Sequence, residues 1–186
     1  MKIKINYFLV LITTYLLGIN STYAINFPND LSWSTMPEIT FNYPTKTGTA
    51  KQKELIRQIW GKKLQNKDTA FVLLATSNTK DNIYHFSILN SERSGCIAPP
   101  NGDGTNNKQD TFSMCSIRIS QQNKITKEIK IQDIPNYCYL NLDDEPGELI
   151  KNHTEFSYDD KSKIAYFRTI MYGKHIPTCD RAIRLK

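Results

Sequence analysis

The sequence predicts an α+β fold: a mainly antiparallel β-sheet of about six to eight strands, one N-terminal amphipathic helix packed on it, and two disulfides. Three observations predict it. Apolar residues recur at helical spacing in one place only, just before residue 65. Strand-like runs then follow at regular spacing to the end of the chain. The four cysteines, Cys96, Cys115, Cys138 and Cys179, all lie within that strand-rich part.

Residues 1–24 read as a cleavable export signal. Lys2 and Lys4 supply a positive start, and Tyr7 to Ile19 is an uncharged apolar run. Thr22-Tyr23-Ala24 then puts small residues at the two positions a signal peptidase reads. The run is shorter than the roughly 20 residues a membrane-spanning helix needs, and Asn20, Ser21 and Thr22 follow it directly. No cysteine lies near the expected cleavage point for a lipid anchor. The remainder, 25–186, is expected to form one disulfide-stabilised β-rich domain with no membrane span, in the periplasm or secreted. Loss of the leader lowers the formal charge of +6 by two. What is left is a modest basic excess with both signs interspersed, which bears on solubility and encounter rates rather than naming a partner.

The cysteines agree with export. None forms a Cys-x-x-Cys pair, so neither a zinc ribbon nor a thioredoxin-type redox site is expected. In an oxidising compartment four thiols read as two disulfides with three possible connectivities. The expected pairing is Cys96–Cys115 and Cys138–Cys179, because each then encloses one loop-rich stretch.

From Ile25 to Pro44, prolines 28, 37 and 44 interrupt the chain, which reads as an extended arm with a short edge strand at Glu38–Tyr43. The helix follows. Thr49 with Gln52 forms a capping-box pattern after Gly48, and Ile56, Ile59, Trp60 and Leu64 make one apolar stripe. Lys51, Lys53, Arg57, Lys62 and Lys67 fill the rest as a solvated face. Thr69–Thr76 is an apolar run suited to a central strand covered on both faces. Asn82–Leu89 sets Tyr84, Phe86 and Ile88 against Ile83, His85 and Ser87. Further strands are expected at Phe112–Ser120, Ile125–Ile131 and Asn136–Leu142. A hairpin joins Glu155–Tyr158 to Lys163–Met171 through Asp159-Asp160-Lys161-Ser162. Arg181–Leu185 is a short closing strand. The many tyrosines and phenylalanines are expected mostly in the core.

Two long loops stand between these elements: Ser91–Asp110, rich in Gly, Pro, Asn and Asp, and the acidic Asp143–Thr154. Asn101-Gly102-Asp103-Gly104-Thr105 has alternating oxygen ligands. However, Asn106 and Phe112 stand where a calcium loop wants Gly and Glu, so it reads as an unliganded turn. Asp143, Asp144, Glu145 and Glu148 beside Pro146-Gly147 read as a solvated acidic turn that could meet a basic partner. His85, His153 and His175 carry no local catalytic motif. Nor is there a Gly-x-Ser-x-Gly elbow, a His-Glu-x-x-His or a phosphate-cradling glycine loop. Asn152-His153-Thr154 fits a glycosylation acceptor.

No cofactor, no metal and no specific nucleic-acid signal is expected. The reading is an exported, non-enzymatic protein-binding domain, a periplasmic inhibitor or toxin-neutralising immunity protein. Its two loops are the expected contacts, through Asn101, Asp103, Asp143, Asp144 and Glu145. Two alternatives stand beside it: a small secreted hydrolase of nucleic acid or cell-wall glycan, and a surface or structural component.

Overall fold

The computed structural model describes residues 25–65, 67–97, 112–140 and 151–185. These form two five-stranded antiparallel sheets and one α-helix, not a single sheet of six to eight strands. The central sheet is a meander of β2 (Glu38–Phe41), β3 (Ala70–Asn78), β4 (Asn82–Ser91), β5 (Phe112–Asn123) and β6 (Ile129–Leu140), in that order. The flanking sheet runs β1 (Ser34–Thr35), β7 (His153–Asp159), β8 (Ile164–Met171) and β10 (Arg181–Arg184), with β9 (Lys174–His175) also on β8. β1 and β9 are two residues each, too short to leave a period in the sequence. The expected C-terminal hairpin exists but packs face to face on the first sheet instead of extending it, because each carries an apolar face needing cover.

That shared face is the main core. Phe86 of β4 meets Phe156 of β7 at 4.7 Å and Phe167 of β8 at 5.8 Å between ring centroids, and Phe156 and Phe167 lie 5.3 Å apart. Tyr84, Ile88, Ile117, Ile119, Tyr137, Ala165 and Ile183 fill in around them. Burying one such side chain is worth about 1.5–3 kcal/mol, and each well-placed aromatic pair adds roughly 0.5–1.5 kcal/mol. The expected alternation along β4 is what sets this face.

On the other side lies α1 (Ala50–Trp60). Its capping box forms as the sequence implies: Gln52 N–H donates to Thr49 Oγ1 at 3.2 Å, and Thr49 N–H donates to Gln52 Oε1 at 2.8 Å. Gly48 before it has φ +79°, and a Cβ there would come within 2.6 Å of Ile39. Only glycine suits that turn. Ile56, Ile59, Trp60 and, past a 3-10 turn at Gly61–Lys63, Leu64 bury against Val72, Leu74 and Leu89. β3 is therefore covered on both faces through Leu74, as its continuous apolar run predicts.

Two polar contacts fix where the helix ends. Trp60 Nε1 donates to Ser87 Oγ of β4 at 3.0 Å. Arg118 of β5 lies 4.3 Å from the Trp60 ring, donates to the Ile59 carbonyl at 3.1 Å, and grips both carboxylate oxygens of Asp133 at 2.6 Å. Arg118 thus serves as a side-chain cap for the last turn, with Asp133 holding its fork in place. That hydrogen-bonded guanidinium keeps the Asp133 carboxyl below its ordinary value.

β6 joins two runs that the sequence separates at Pro135. The strand continues through a bulge: Cys115 pairs with Tyr137 and Ile117 with Ile134, so Pro135 and Asn136 together face Ser116. Asn136 takes φ +61° there. An edge strand tolerates a proline at a bulge, and the extra residue bends it. The curled sheet brings its two edges together, and Tyr139 Oη of β6 donates to Glu38 Oε2 of β2 at 2.6 Å.

The disulfides are Cys96–Cys115 and Cys138–Cys179, the expected pairing. The first closes the excursion from β4 to β5. The second ties β6 of the central sheet to the turn leading into β10 of the other. Loops of 19 and 41 residues correspond to roughly 3 and 4 kcal/mol in the chain-entropy model.

Arg118→Met should lower unfolding free energy by about 1.5–3 kcal/mol in urea titration, with Arg118→Lys intermediate because it keeps charge but not the fork. A loss below about 0.5 kcal/mol, the level of an ordinary surface change, would show that Arg118 does not hold the helix.

Candidate functional site

Asn101, Asp103, Asp143, Asp144 and Glu145, the loop positions expected to make contacts, all lie outside the described residues. What the described chain presents instead is a groove of about 850 Å3 where α1 stops covering the central sheet. Lys51, Leu55 and Gln58, at i, i+4 and i+7, form its helix wall together with Glu54. Thr76, Ile83, His85 and Gln122 of β3, β4 and β5 form its floor, and Ser34, Thr35, Pro37 and Phe156 close the far side.

The groove wraps around a strand edge with no partner. β2 pairs with β3 from Phe41↔Ala70 to Glu38↔Leu73, and Pro37 then carries the chain away to β1 in the other sheet. In an antiparallel ladder a residue's N–H and C=O point to the same neighbour, and successive residues alternate. Leu74 N–H points outward, donating to Pro37 O at 3.2 Å, whereas Thr79 N–H points back to Asn82 O at 2.9 Å. The backbone groups of Thr76 and Asn78 therefore point outward as well. Among the described residues no strand pairs with Ala75–Asn78 on that side. The open stretch is about 13 Å long.

His85 stands on the groove floor, on the sheet face its position in the strand predicts. Its Nδ1 lies 3.0 Å from Thr76 Oγ1, and no carboxylate is bonded to it among the described residues. Burial alone holds its pKa below the ordinary 6.5. A neutral imidazole bonded to one hydroxyl can donate or accept a hydrogen bond to a ligand but has no acid to orient it as a catalytic base.

The other two histidines lie in one row across the flanking sheet. His153 of β7 and His175 of β9 both pair with Ile170 of β8, one from each side. His175 Nε2 lies 2.7 Å from Asp180 Oδ1, and His153 Nε2 lies 3.4 Å from Glu155 Oε1. Asp180 is buried, and desolvation is the largest influence on its carboxyl, raising its pKa. Glu155 Oε2 accepts from Arg168 Nε at 2.5 Å, and Arg168 lies 4.2 Å from the Trp33 ring. Phe27 packs on Trp33 and Tyr166 and lies 6.0 Å from His175, so the N-terminal arm lies against this face. The arm was legible in the sequence; the alignment of His153 and His175 on either side of Ile170 was not, since nothing local predicts the register of two-residue β9.

Asn152 is buried, and its Oδ1 accepts the Tyr172 N–H at 2.7 Å. That places the glycosylation pattern in the folded interior rather than on an accessible loop. The described residues include no helix long and apolar enough to cross a membrane, and no group of three or more side chains able to hold a metal ion. Compared with known proteins, the chain matches no family model, no curated protein and no solved structure.

The groove itself left only faint marks in the sequence. Leu55 is an apolar residue off the Ile56–Ile59–Trp60 stripe, and Thr76-Ser77-Asn78 is a polar tail on an otherwise apolar strand.

The His85 imidazole should titrate below pH 6.5 by NMR. Its folded value lies under its unfolded one, so its effect on stability is constant above pH 6.5 and turns unfavourable as pH falls through the folded value. His85→Gln should remove that slope. A midpoint above 6.5 would show an acidic neighbour.

Proposed function

We propose that the protein is an exported, non-enzymatic protein-binding domain, acting as a periplasmic inhibitor or a toxin-neutralising immunity protein. Residues 1–24 serve as its cleaved export signal, and the two disulfides suit an oxidising compartment. One observation carries the binding reading: an open groove on a rigid sheet, walled by Lys51, Glu54, Leu55 and Gln58, whose histidine is bonded to no carboxylate among the described residues. Concave surfaces of mixed character set on rigid elements favour recognition at low ordering cost. Asn101, Asp103, Asp143, Asp144 and Glu145, outside the described residues, remain proposed contacts of this reading.

The oxidised protein, used as bait on the periplasmic or secreted fraction of its producing cell, should recover one protein. Leu55→Arg should cut that recovery at least about tenfold by filling the groove with charge. Repeated failure with intact disulfides, or equal recovery by the variant, would refute the reading.

A second reading, a small secreted hydrolase of nucleic acid or cell-wall glycan, draws on a different observation. His153 and His175 share one sheet face, and each is paired with a carboxylate. Oriented histidines of this kind are general acid–base candidates. Purified protein should then degrade RNA, DNA or peptidoglycan, with His175→Asn at least about a hundredfold slower. No turnover of any of the three would eliminate it.

A further inference from the structure

We propose that the groove binds an extended segment of the partner by strand addition, the segment pairing antiparallel with the free edge of β3 at Ala75–Asn78. The proposal rests on the protein-binding reading and specifies how that binding is made.

The occupant follows from what the edge offers. Thr76 and Asn78 present backbone donors and acceptors outward, continuing the line in which Leu74 N–H already bonds Pro37 O. Strand β2 fills that line as far as Glu38 and then leaves it. An extended backbone is the ligand that satisfies N–H and C=O groups at strand spacing, and exposed sheet edges are a known site for such addition. The added strand would run collinear with β2.

The walls define the side chains it carries. Successive residues of an added strand point to opposite faces. One set faces α1 and the exposed sheet surface, where Leu55, Gln58 and His85 wait. The alternate set faces Ala75, Pro37 and Phe156 beside the flanking sheet. Both positions thus accept small or branched apolar residues. Lys51 and Glu54 both line the helix wall, so the two charges offset one another and the segment needs no net charge of its own. The neutral, hydroxyl-bonded His85 adds one polar contact from the floor.

The edge is also short and ends in Thr76-Ser77-Asn78, next to the turn at Thr79–Asp81. A short polar edge limits indiscriminate pairing.

The test uses a displayed library of random ten-residue peptides selected on the mature, oxidised protein. Selected peptides should be enriched in alternating β-branched residues. On binding, amide exchange should slow at Thr76 and Asn78, while Ser77, already paired with β4, should change little. Methylating alternate backbone nitrogens of the peptide should weaken binding at least about tenfold when the methylated set faces β3, and little when the other set is methylated. Thr76→Pro, which removes one outward donor, should have the same effect. If that variant fails to fold, the methylated peptides decide alone. Binding that protects other amides, or is indifferent to methylation, overturns strand addition while leaving protein binding intact. If no peptide is selected, strand addition is also overturned, and the capture experiment still judges the broader reading.

Discussion

Among the described residues the central sheet has two faces to bury and one short helix with which to bury the second. Everything else in the architecture follows from that mismatch. An eleven-residue helix is about 16 Å long, whereas the twelve-residue strand β5 runs about 40 Å. The flanking sheet covers the inner face through Phe86, Phe156 and Phe167. On the outer face α1 covers only the half around Val72, Leu74 and Leu89. Beyond it the face is mixed: Thr76 and Asn78 are exposed, His85 and Gln122 are half-buried, and Ile83, Ile129 and Ile131 lie among them.

The position of the helix is therefore what creates the groove. Arg118 and Ser87 tie the Trp60 end of α1 to the sheet, and the Thr49–Gln52 box closes the first turn at the opposite end. Pro37 makes the second decision. By sending the chain from β2 back to β1 it joins the two sheets and leaves the last four residues of β3, paired with β4 on one side, without a strand on the other among the described residues. Rigidity comes from the cross-sheet Cys138–Cys179 bond and the Tyr139–Glu38 contact that draws the curled edges together. An open edge on so constrained a frame loses little freedom when it gains a partner.

Much of this was written in local pattern. The capping box, the Ile56–Ile59–Trp60–Leu64 stripe, the two-faced apolar run of β3, the alternation of β4 and the disulfide pairing are all signals of near neighbours or of loop enclosure, and the structure bears them out. What was hidden depends on distant partners. Nothing in the residues of β7 and β8 says whether their hairpin extends the first sheet or stacks on it. A break at Pro135 looks like the end of a strand until a bulge with Asn136 at positive φ absorbs it. The groove is a property of where β2 stops, a matter of tertiary path rather than period. Of the site expected from loop composition, the positions at 101, 103 and 143–145 lie outside the described residues.

The most direct measurement is amide hydrogen exchange of the free, oxidised protein, resolved along β3. Val72, Leu73 and Ala75 should exchange slowly, with Thr76 and Asn78 at least about a hundredfold faster despite lying in the same strand. Slow exchange at Thr76 equal to that of Ala75 would mean that the edge is already occupied, and the account of the groove would fail.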